Sequence, residues 1–329
     1  MKRPVLDPKY EMLGFIASGG HADVFLLRHV VCGLRCAGKF LREHWDPMAR
    51  DAFRREAERH ARVSGPHVAP LLAYDCDAAQ PFMVLEFMPN GSLADEIARR
   101  PQGFSLGEGL AVGQTLAEAL ADAHAKGVAH CDFKPGNVLR DGAGRWVLND
   151  FGVAATVGPH EIVRAAHFLG TPAYAAPEQF RGISTHASDI YALGVVLHEL
   201  LTGTRDFNPT LLAQRHGAGA SGLTEILARL TAEDPRLRPS AREAITMLYE
   251  AARRAAPRAL IVPPSAPTAR SGPPSPSPAP VPGWLQLLGW GVAAFGATAA
   301  LNRSTKTWDE SADRYRGSDG RYRGNGLLR

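Results

Sequence analysis

Residues 130–137 read HCDFKPGN and place three side chains of complementary chemistry within six positions: Asp132, Lys134 and Asn137. A carboxylate can take a proton from an attacking hydroxyl, an ammonium can steady a phosphoryl group in transfer, and an amide oxygen can ligate Mg²⁺. The order and spacing of these residues follow the HRDxKxxN pattern. We therefore predict a catalytic loop for phosphoryl transfer to an alcohol.

Two further motifs follow this loop. Asp150, Phe151 and Gly152 come thirteen residues after Asn137, directly behind the apolar run WVLN, so a carboxylate should project from a strand end with a glycine at the turn. Residues 170–178 read GTPAYAAPE and match the GTPxYxAPE pattern. Their order and spacing make these matches specific, and they predict that Asp150 is a metal ligand.

Lys39 and Glu56 are a candidate cation–carboxylate pair. Lys39 ends a predicted strand, and Glu56 lies on the inward face of the predicted helix that follows. Such a pair would hold an ammonium where it meets the α- and β-phosphate oxygens of a nucleotide. A lysine at a strand end is more often simply solvated. The pair therefore indicates a nucleotide site only in combination with the catalytic loop.

Residues 16–24, IASGGHADV, join two predicted strands with small residues that would let backbone N–H groups approach a phosphate chain. Read alone, the segment favours a simple glycine-bearing hairpin turn, and alanines stand where the phosphate-binding pattern has its first and third glycines. The candidate phosphate-binding residues are Ile16, Ala17, Ser18, Gly19, Gly20, His21 and Ala22.

The elements that must position these residues begin with three short antiparallel strands between residues 10 and 40 and a further strand at 81–87. Between the third strand and the strand at 81–87, Asp46 and Pro47 predict the start of a helix. The chain then becomes helical from Ser92, with a long amphipathic helix that ends at Lys126 and Gly127. Residues 190–201 predict a buried helix, and a capping pair at 240 and 243 starts a last one.

Taken together, residues 10 to about 255 resemble a protein kinase domain of the bacterial Ser/Thr (Hanks-type) form. The resemblance implies an α+β fold of two lobes in residues 1–255. A small antiparallel β-lobe with one helix would span about 10–88, and a larger, mainly helical lobe about 89–255.

The resemblance also implies roles for individual residues. Asp132 would be the catalytic base, Lys134 would steady the transferred group, and Asn137 and Asp150 would hold Mg²⁺. Lys39, paired with Glu56, would bind the phosphates of ATP. The residues implied to surround the base are Val24, Ala37, the gatekeeper Leu85, and the backbone of Glu86 and Met88. Structural roles are implied for Asp189 beneath the catalytic loop and for Glu178 with Arg238.

Lys134 and Thr171 are typical of kinases that phosphorylate serine and threonine in proteins. The chain departs from the pattern at Cys131, where many relatives have an arginine that pairs with a phosphorylated activation loop. Thr156 is the only hydroxyl residue between Gly152 and Gly170. We therefore expect a non-RD kinase whose activity does not require phosphorylation there. A redox switch at Cys131 is a second interpretation, although no nearby sequence feature lowers the pKa of its thiol.

Two alternative functions are open. Aminoglycoside-type kinases share the catalytic loop and the metal aspartate, but we do not expect them to carry the GTPAYAAPE segment. A pseudokinase, which binds ATP or a partner without turnover, is the main alternative from another class.

A small formal charge of +4 on 329 residues gives no basic field that would favour nucleic acid as a partner.

The C-terminal part differs in composition. Ten prolines predict an extended, disordered linker at 256–283. Residues 284–301 hold no charge and predict a transmembrane or interfacial helix, and hence membrane association, with a dimer as a further candidate. Residues 302–329, rich in Gly, Arg and Tyr, are expected to be disordered. ATP as co-substrate places the kinase domain in the cytoplasm, but the basic residues beyond 301 oppose a simple single span.

Overall fold

The computed structural model describes residues 7–156, 163–164, 171–220, 222–255, 307–309, 314–316 and 322–324. The chain divides into two compact units, Met1–Pro257 and Arg258–Arg329.

The first unit begins with an antiparallel sheet of five strands in the order β1-β2-β3-β5-β4. Its strands are β1 (Tyr10–Ser18), β2 (Ala22–His29), β3 (Arg35–Leu41), β4 (Leu71–Asp75) and β5 (Phe82–Glu86). Leu27, Phe40 and Met83 are fully buried in this lobe. The predicted antiparallel β-lobe is therefore confirmed, with β4 as a strand that the sequence pattern did not indicate.

Helix α1 (Pro47–Val63) follows β3. Asp46 caps it as predicted, because its carboxylate accepts hydrogen bonds from the backbone N–H groups of Met48 and Ala49. The predicted inward face is also confirmed, since its residues are all buried: Phe53, Glu56, Ala57 and His60.

The second lobe is mainly helical. Its helices are α2 (Leu93–Ala98), α3 (Leu106–Ala125), α4 (His186–Thr202), α5 (Pro209–His216), α6 (Leu223–Leu230) and α7 (Ala241–Ala255). Short strand pairs join its loops: β6 (Val128–Ala129) with β9 (Ala155–Thr156), β7 (Val138–Arg140) with β8 (Trp146–Leu148), and β10 (Val163–Arg164) with β11 (Ile183–Ser184). Helix α4 is buried on nearly every face, as predicted, and packs against α3 and α6 to form the core of the lobe.

The second unit contains three short strands that pair antiparallel: β12 (Thr307–Asp309), β13 (Arg314–Arg316) and β14 (Tyr322–Gly324). The sequence had predicted a disordered tail here. Aromatic and β-branched residues favour strands, and the two copies of Arg-Tyr-Arg-Gly supply β13 and β14.

The predicted linker at 256–283 and the apolar segment at 284–301 lie outside the described residues. None of the helices in the described part of the chain combines the length and apolar composition that crossing a bilayer requires.

Candidate active site

The loop that carries the candidate catalytic residues follows β6 and is fixed from below by α4. The buried carboxylate of Asp189 accepts hydrogen bonds of 2.8 Å from the backbone N–H groups of His130 and Cys131 and from Nε2 of His124. Burial alone would raise the pKa of Asp189, but the hydrogen bond and charge of His124 bring it below its ordinary value. An ionised carboxylate therefore holds the loop backbone.

The three candidate catalytic side chains lie together. Nζ of Lys134 donates to Oδ2 of Asp132 and to Oγ1 of Thr171, each at 2.7 Å. Nδ2 of Asn137 donates to the backbone oxygen of Asp132 at 2.9 Å. The loop and the GTPAYAAPE segment thus meet through Lys134, although 37 residues separate it from Thr171.

Lys39 on β3 joins both lobes. Its ammonium is bonded to Oε1 of Glu56 on α1 and lies 3.1 Å from Oδ1 of Asp150. Burial would lower the pKa of Lys39, but the two carboxylates raise it above its ordinary value. Burial would raise the pKa of Asp150, but Lys39 holds it low. The predicted Lys39–Glu56 pair is present in the structure, and Asp150 extends it to a triad.

The triplet after β8 has an unusual backbone. Asp150 has a φ of 63°, and the fully buried Phe151 ring lies 5.2 Å from the ring of His60 and 5.0 Å from that of His130. A Cβ on Gly152 would come within 3.3 Å of carboxylate oxygens of both Asp150 and Glu56. Only a glycine leaves those two oxygens undisturbed beside the turn.

The segment between β1 and β2 is a tight connection in which the backbone N–H of Gly19 donates to the oxygen of Ala22 at 2.8 Å. The guanidinium of Arg42, just beyond β3, donates to the carbonyl oxygens of Gly19 and Gly20. Sequence reasoning missed Arg42, since no local pattern indicates that a side chain reaches carbonyl groups 22 and 23 residues away.

Comparison with known proteins agrees with this geometry. The protein kinase domain family matches residues 10–250. The chain belongs to the protein kinase family, in its bacterial Ser/Thr (Hanks-type) form. Serine/threonine-protein kinase PrkC of Bacillus subtilis is 32% identical to it over 230 residues, which cover 69% of this chain and 34% of PrkC.

Two other relatives of this kinase domain are also serine/threonine-protein kinases and have similar sequence identity. Serine/threonine-protein kinase PknA of Mycobacterium tuberculosis is 32% identical over 242 residues, or 71% of this chain and 54% of PknA. DNA damage-responsive serine/threonine-protein kinase RqkA of Deinococcus radiodurans is 33% identical over 207 residues, or 62% of this chain and 31% of RqkA. The chain thus spans about a third to a half of the length of these relatives.

The candidate base-binding residues of the kinase domain lie on neighbouring strands. Val24 pairs with Lys39 across β2 and β3, and Ala37 pairs with Leu85 across β3 and β5. The backbone N–H of Glu86 already donates to the oxygen of Pro70 at 2.9 Å. Of the backbone groups of Glu86, the carbonyl is therefore the one left to receive a hydrogen bond from a base. The remaining base-binding candidate, Met88, is buried, whereas Ile16 of the candidate phosphate-binding segment is exposed.

The pairing predicted for Glu178 and Arg238 in the large lobe of the kinase is found in the structure. Nη1 and Nη2 of Arg238 bond the two carboxylate oxygens of Glu178 at 2.6 and 2.9 Å, and both side chains are buried. Next to Glu178, the side-chain amide of Gln179 donates to the carbonyl oxygen of Cys131 at 2.8 Å. Sequence reasoning missed this contact, which ties the GTPAYAAPE segment to the catalytic loop.

The thiol of Cys131 is buried beneath the loop, and its sulfur lies 3.5 Å from the carbonyl oxygen of Ala129. Cys131 has a φ of 65°. Within the described ranges, Cys131 and Asp150 are the two non-glycine residues with a positive φ, and both lie in the candidate active site. A small, partly open pocket adjoins it, lined among others by Asp132, Thr171 and Tyr174.

Proposed function

We propose that this chain is a Ser/Thr protein kinase that transfers the γ-phosphoryl group of Mg-ATP to hydroxyl groups of proteins. The observation that carries the proposal is the contact of Lys134 with both Asp132 and Thr171. It places a carboxylate and an ammonium against the segment that would face an incoming acceptor. The same unit holds the Lys39–Glu56–Asp150 triad.

In this mechanism the carboxylate of Asp132 orients the acceptor hydroxyl and takes its proton. Lys134 offsets charge on the transferred group, and its bond to Thr171 fixes the ammonium relative to the acceptor. Lys39, held by Glu56, binds phosphate oxygens of the nucleotide. The contribution of the chain is thus mainly orientation and electrostatic stabilisation.

The residues present fit a magnesium ion. Nδ2 of Asn137 is bonded to Asp132, so its amide oxygen is the atom left to act as a ligand. Oδ1 of Asp150 faces Lys39, which leaves Oδ2. Oxygen donors of this kind are the ligands that Mg²⁺ prefers, and the bound ion would neutralise phosphate charge.

The nucleotide itself would lie between the lobes of the kinase unit. We propose that residues 16–22 cover its phosphates, with Arg42 fixing the carbonyl groups of Gly19 and Gly20 so that loop N–H groups other than that of Gly19 can bind phosphate. Val24, Ala37 and Leu85 would contact the base, and the backbone of Glu86 and Met88 would bind its edge.

Regulation in this proposal is of the non-RD kind. Cys131 has no positive charge for a phosphorylated activation loop, and Gln179 and Asp189 instead fix the backbone on either side of its α-carbon. The kinase domain would act in the cytoplasm, where ATP is available. We also propose membrane association through residues 284–301, on the strength of their 18 uncharged residues.

The experiment is a phosphotransfer assay with Mg-ATP and a generic protein acceptor, comparing the wild type with Asp132→Asn. We expect the variant to lose at least about a hundredfold in kcat, as removal of a general base does, while ATP still protects it against thermal unfolding. Asp206→Asn, an exposed substitution outside the site, is the matched control. Equal rates for wild type and Asp132→Asn would refute the proposal. ATP binding without turnover would indicate a pseudokinase.

A further inference from the structure

Helix α1 carries the carboxylate that pairs with Lys39, and its N-terminal end is fixed by one arginine. Nη1 of Arg50 donates to the carbonyl oxygens of His44 at 3.1 Å and Ala79 at 3.4 Å. Nη2 donates to those of Cys76 at 3.1 Å and Ala78 at 2.9 Å. Three of these four carbonyl groups belong to the turn between β4 and β5.

The other end of α1 is fixed by a buried histidine. Nε2 of His60 lies 2.7 Å from the carbonyl oxygen of Ala69, and since a carbonyl can only accept, the imidazole must donate from Nε2. The His60 ring also packs edge-on against Phe151. The side chain is only 1% exposed, so it fills the space between α1 and the triplet that carries Asp150.

Glu56 lies between these two contacts, six residues after Arg50 and four before His60. A helix held at both ends cannot swing away from the sheet without breaking these hydrogen bonds to backbone carbonyls, and those from the charged guanidinium of Arg50 are the stronger ones. Its position therefore does not depend on a charge delivered from the activation segment.

We propose that Arg50 and His60, here termed the α1 anchors, are positioning residues that hold Glu56 against Lys39 without activation-loop phosphorylation. The proposal rests on the kinase function given above and adds its regulation. Neither side chain touches nucleotide or acceptor. Both act on the reaction by positioning Glu56, and His60 also acts by packing against Phe151.

The test compares Arg50→Gln with Arg55→Gln in the full-length chain. Arg55 lies on the same helix, but its hydrogen bond goes to Asp51 one turn away. Amide hydrogen exchange is measured without nucleotide. We expect the α1 amides of Arg50→Gln to exchange about tenfold faster, because the lost charged hydrogen bonds shift the equilibrium of the helix, while those of Arg55→Gln stay within about twofold of wild type.

Kinetics provide a second readout. Arg50→Gln should raise KM for ATP more than it changes KM for the acceptor, and Arg50→Lys should recover part of the loss. His60→Leu preserves apolar volume but removes the bond to Ala69, and should also accelerate α1 exchange. Phosphatase-treated wild type should keep its activity.

Unchanged α1 exchange in both Arg50→Gln and His60→Leu would overturn the inference, as would loss of activity when the wild type is dephosphorylated. Failure of the kinase proposal is distinguishable from this. In that case the wild type would show no phosphotransfer, while the exchange experiment, which needs no turnover, would still report whether the anchors hold α1.

Discussion

At the scale of single residues, the candidate active site holds the two positive φ values that non-glycine residues adopt within the described ranges. Cys131 and Asp150 have positive φ values, which cost non-glycine residues of order 1–3 kcal/mol each. Hydrogen bonds hold both residues in place. Asp189 and Gln179 bond the backbone of Cys131, and Lys39 bonds the side chain of Asp150. The strain is thus offset by the same bonds that orient the catalytic groups.

His60 leads to a prediction about pH. Burial lowers its pKa to about 4, against 6.5 for the exposed group. The unfolded chain therefore binds a proton at pH 5 that the folded protein does not, so this contribution to stability is complete above pH 6.5 and is lost as the pH falls towards 4. Between pH 7 and pH 5 the loss from His60 should be about 2 kcal/mol.

The measurement is urea unfolding of wild type and His60→Leu at both pH values. The wild type should lose more stability on acidification than the variant, by about the amount given above. His186, whose pKa is likewise lowered to about 4 by burial, is unchanged in both proteins and cancels in the comparison. An identical acid dependence for the two proteins would contradict this assignment.

Most of the candidate catalytic residues could be predicted from the sequence because their motifs are local. Asp132, Lys134 and Asn137 lie in one short segment, and Asp150 heads another. The contacts of Arg42 and Arg50 could not be predicted, because both bind backbone carbonyl groups more than twenty residues away. Every residue has a carbonyl group, so residue types do not indicate which of them accepts such a hydrogen bond.

At the scale of elements, the sequence indicated α1, α3 and α7 through a defined apolar face or a side-chain cap, and α4 through its nearly uniform apolar composition. Strand β4 was missed: only one of its five residues is buried, so the period of two is absent. Helix α5 was not indicated either, because residues 206–222 are rich in glycine, yet Asn208 caps this helix within that region. Its glycines come after the helix rather than inside it.

The pair of Glu178 and Arg238 links the end of the GTPAYAAPE segment to the loop before α7. Burial would raise the pKa of Glu178, but the hydrogen bonds from Arg238 lower it, so the carboxylate is charged. Replacing Arg238 by Met should leave that charge buried without its partner and cost about 3–5 kcal/mol in the free energy of unfolding. Urea unfolding measures this loss.

Two variants control the interpretation of that loss. The double variant Glu178→Gln with Arg238→Met should recover much of the stability, since it removes the unpaired charge. Arg236→Met, whose partner is the nearby Asp234 at the surface, should unfold like the wild type. If the double variant were as unstable as Arg238→Met alone, packing of the arginine rather than its charge would explain the effect.

At the scale of the whole molecule, the kinase machinery and the candidate membrane segment belong to separate units of the chain. Every catalytic, metal-binding and nucleotide-binding candidate lies before Pro257, where the first compact unit ends. A protein of residues 1–257 should therefore keep the wild-type unfolding midpoint and phosphotransfer rate. The full chain should sediment with membranes, and the truncated one should stay in the supernatant.

A variant of the full chain separates membrane insertion from other effects of truncation. Leu288→Arg with Val292→Arg places two charges in the apolar segment, each costing about 2.5–3.5 kcal/mol at the centre of a spanning helix, so it should fractionate like the truncated protein. A matched substitution in the tail, Ser304→Arg with Ser311→Arg, adds the same charge outside the segment and should leave the full chain with the membranes. If residues 1–257 and the full chain fractionated alike, the apolar segment would have no part in placing this kinase at a membrane, and its hydrophobicity would need a different explanation.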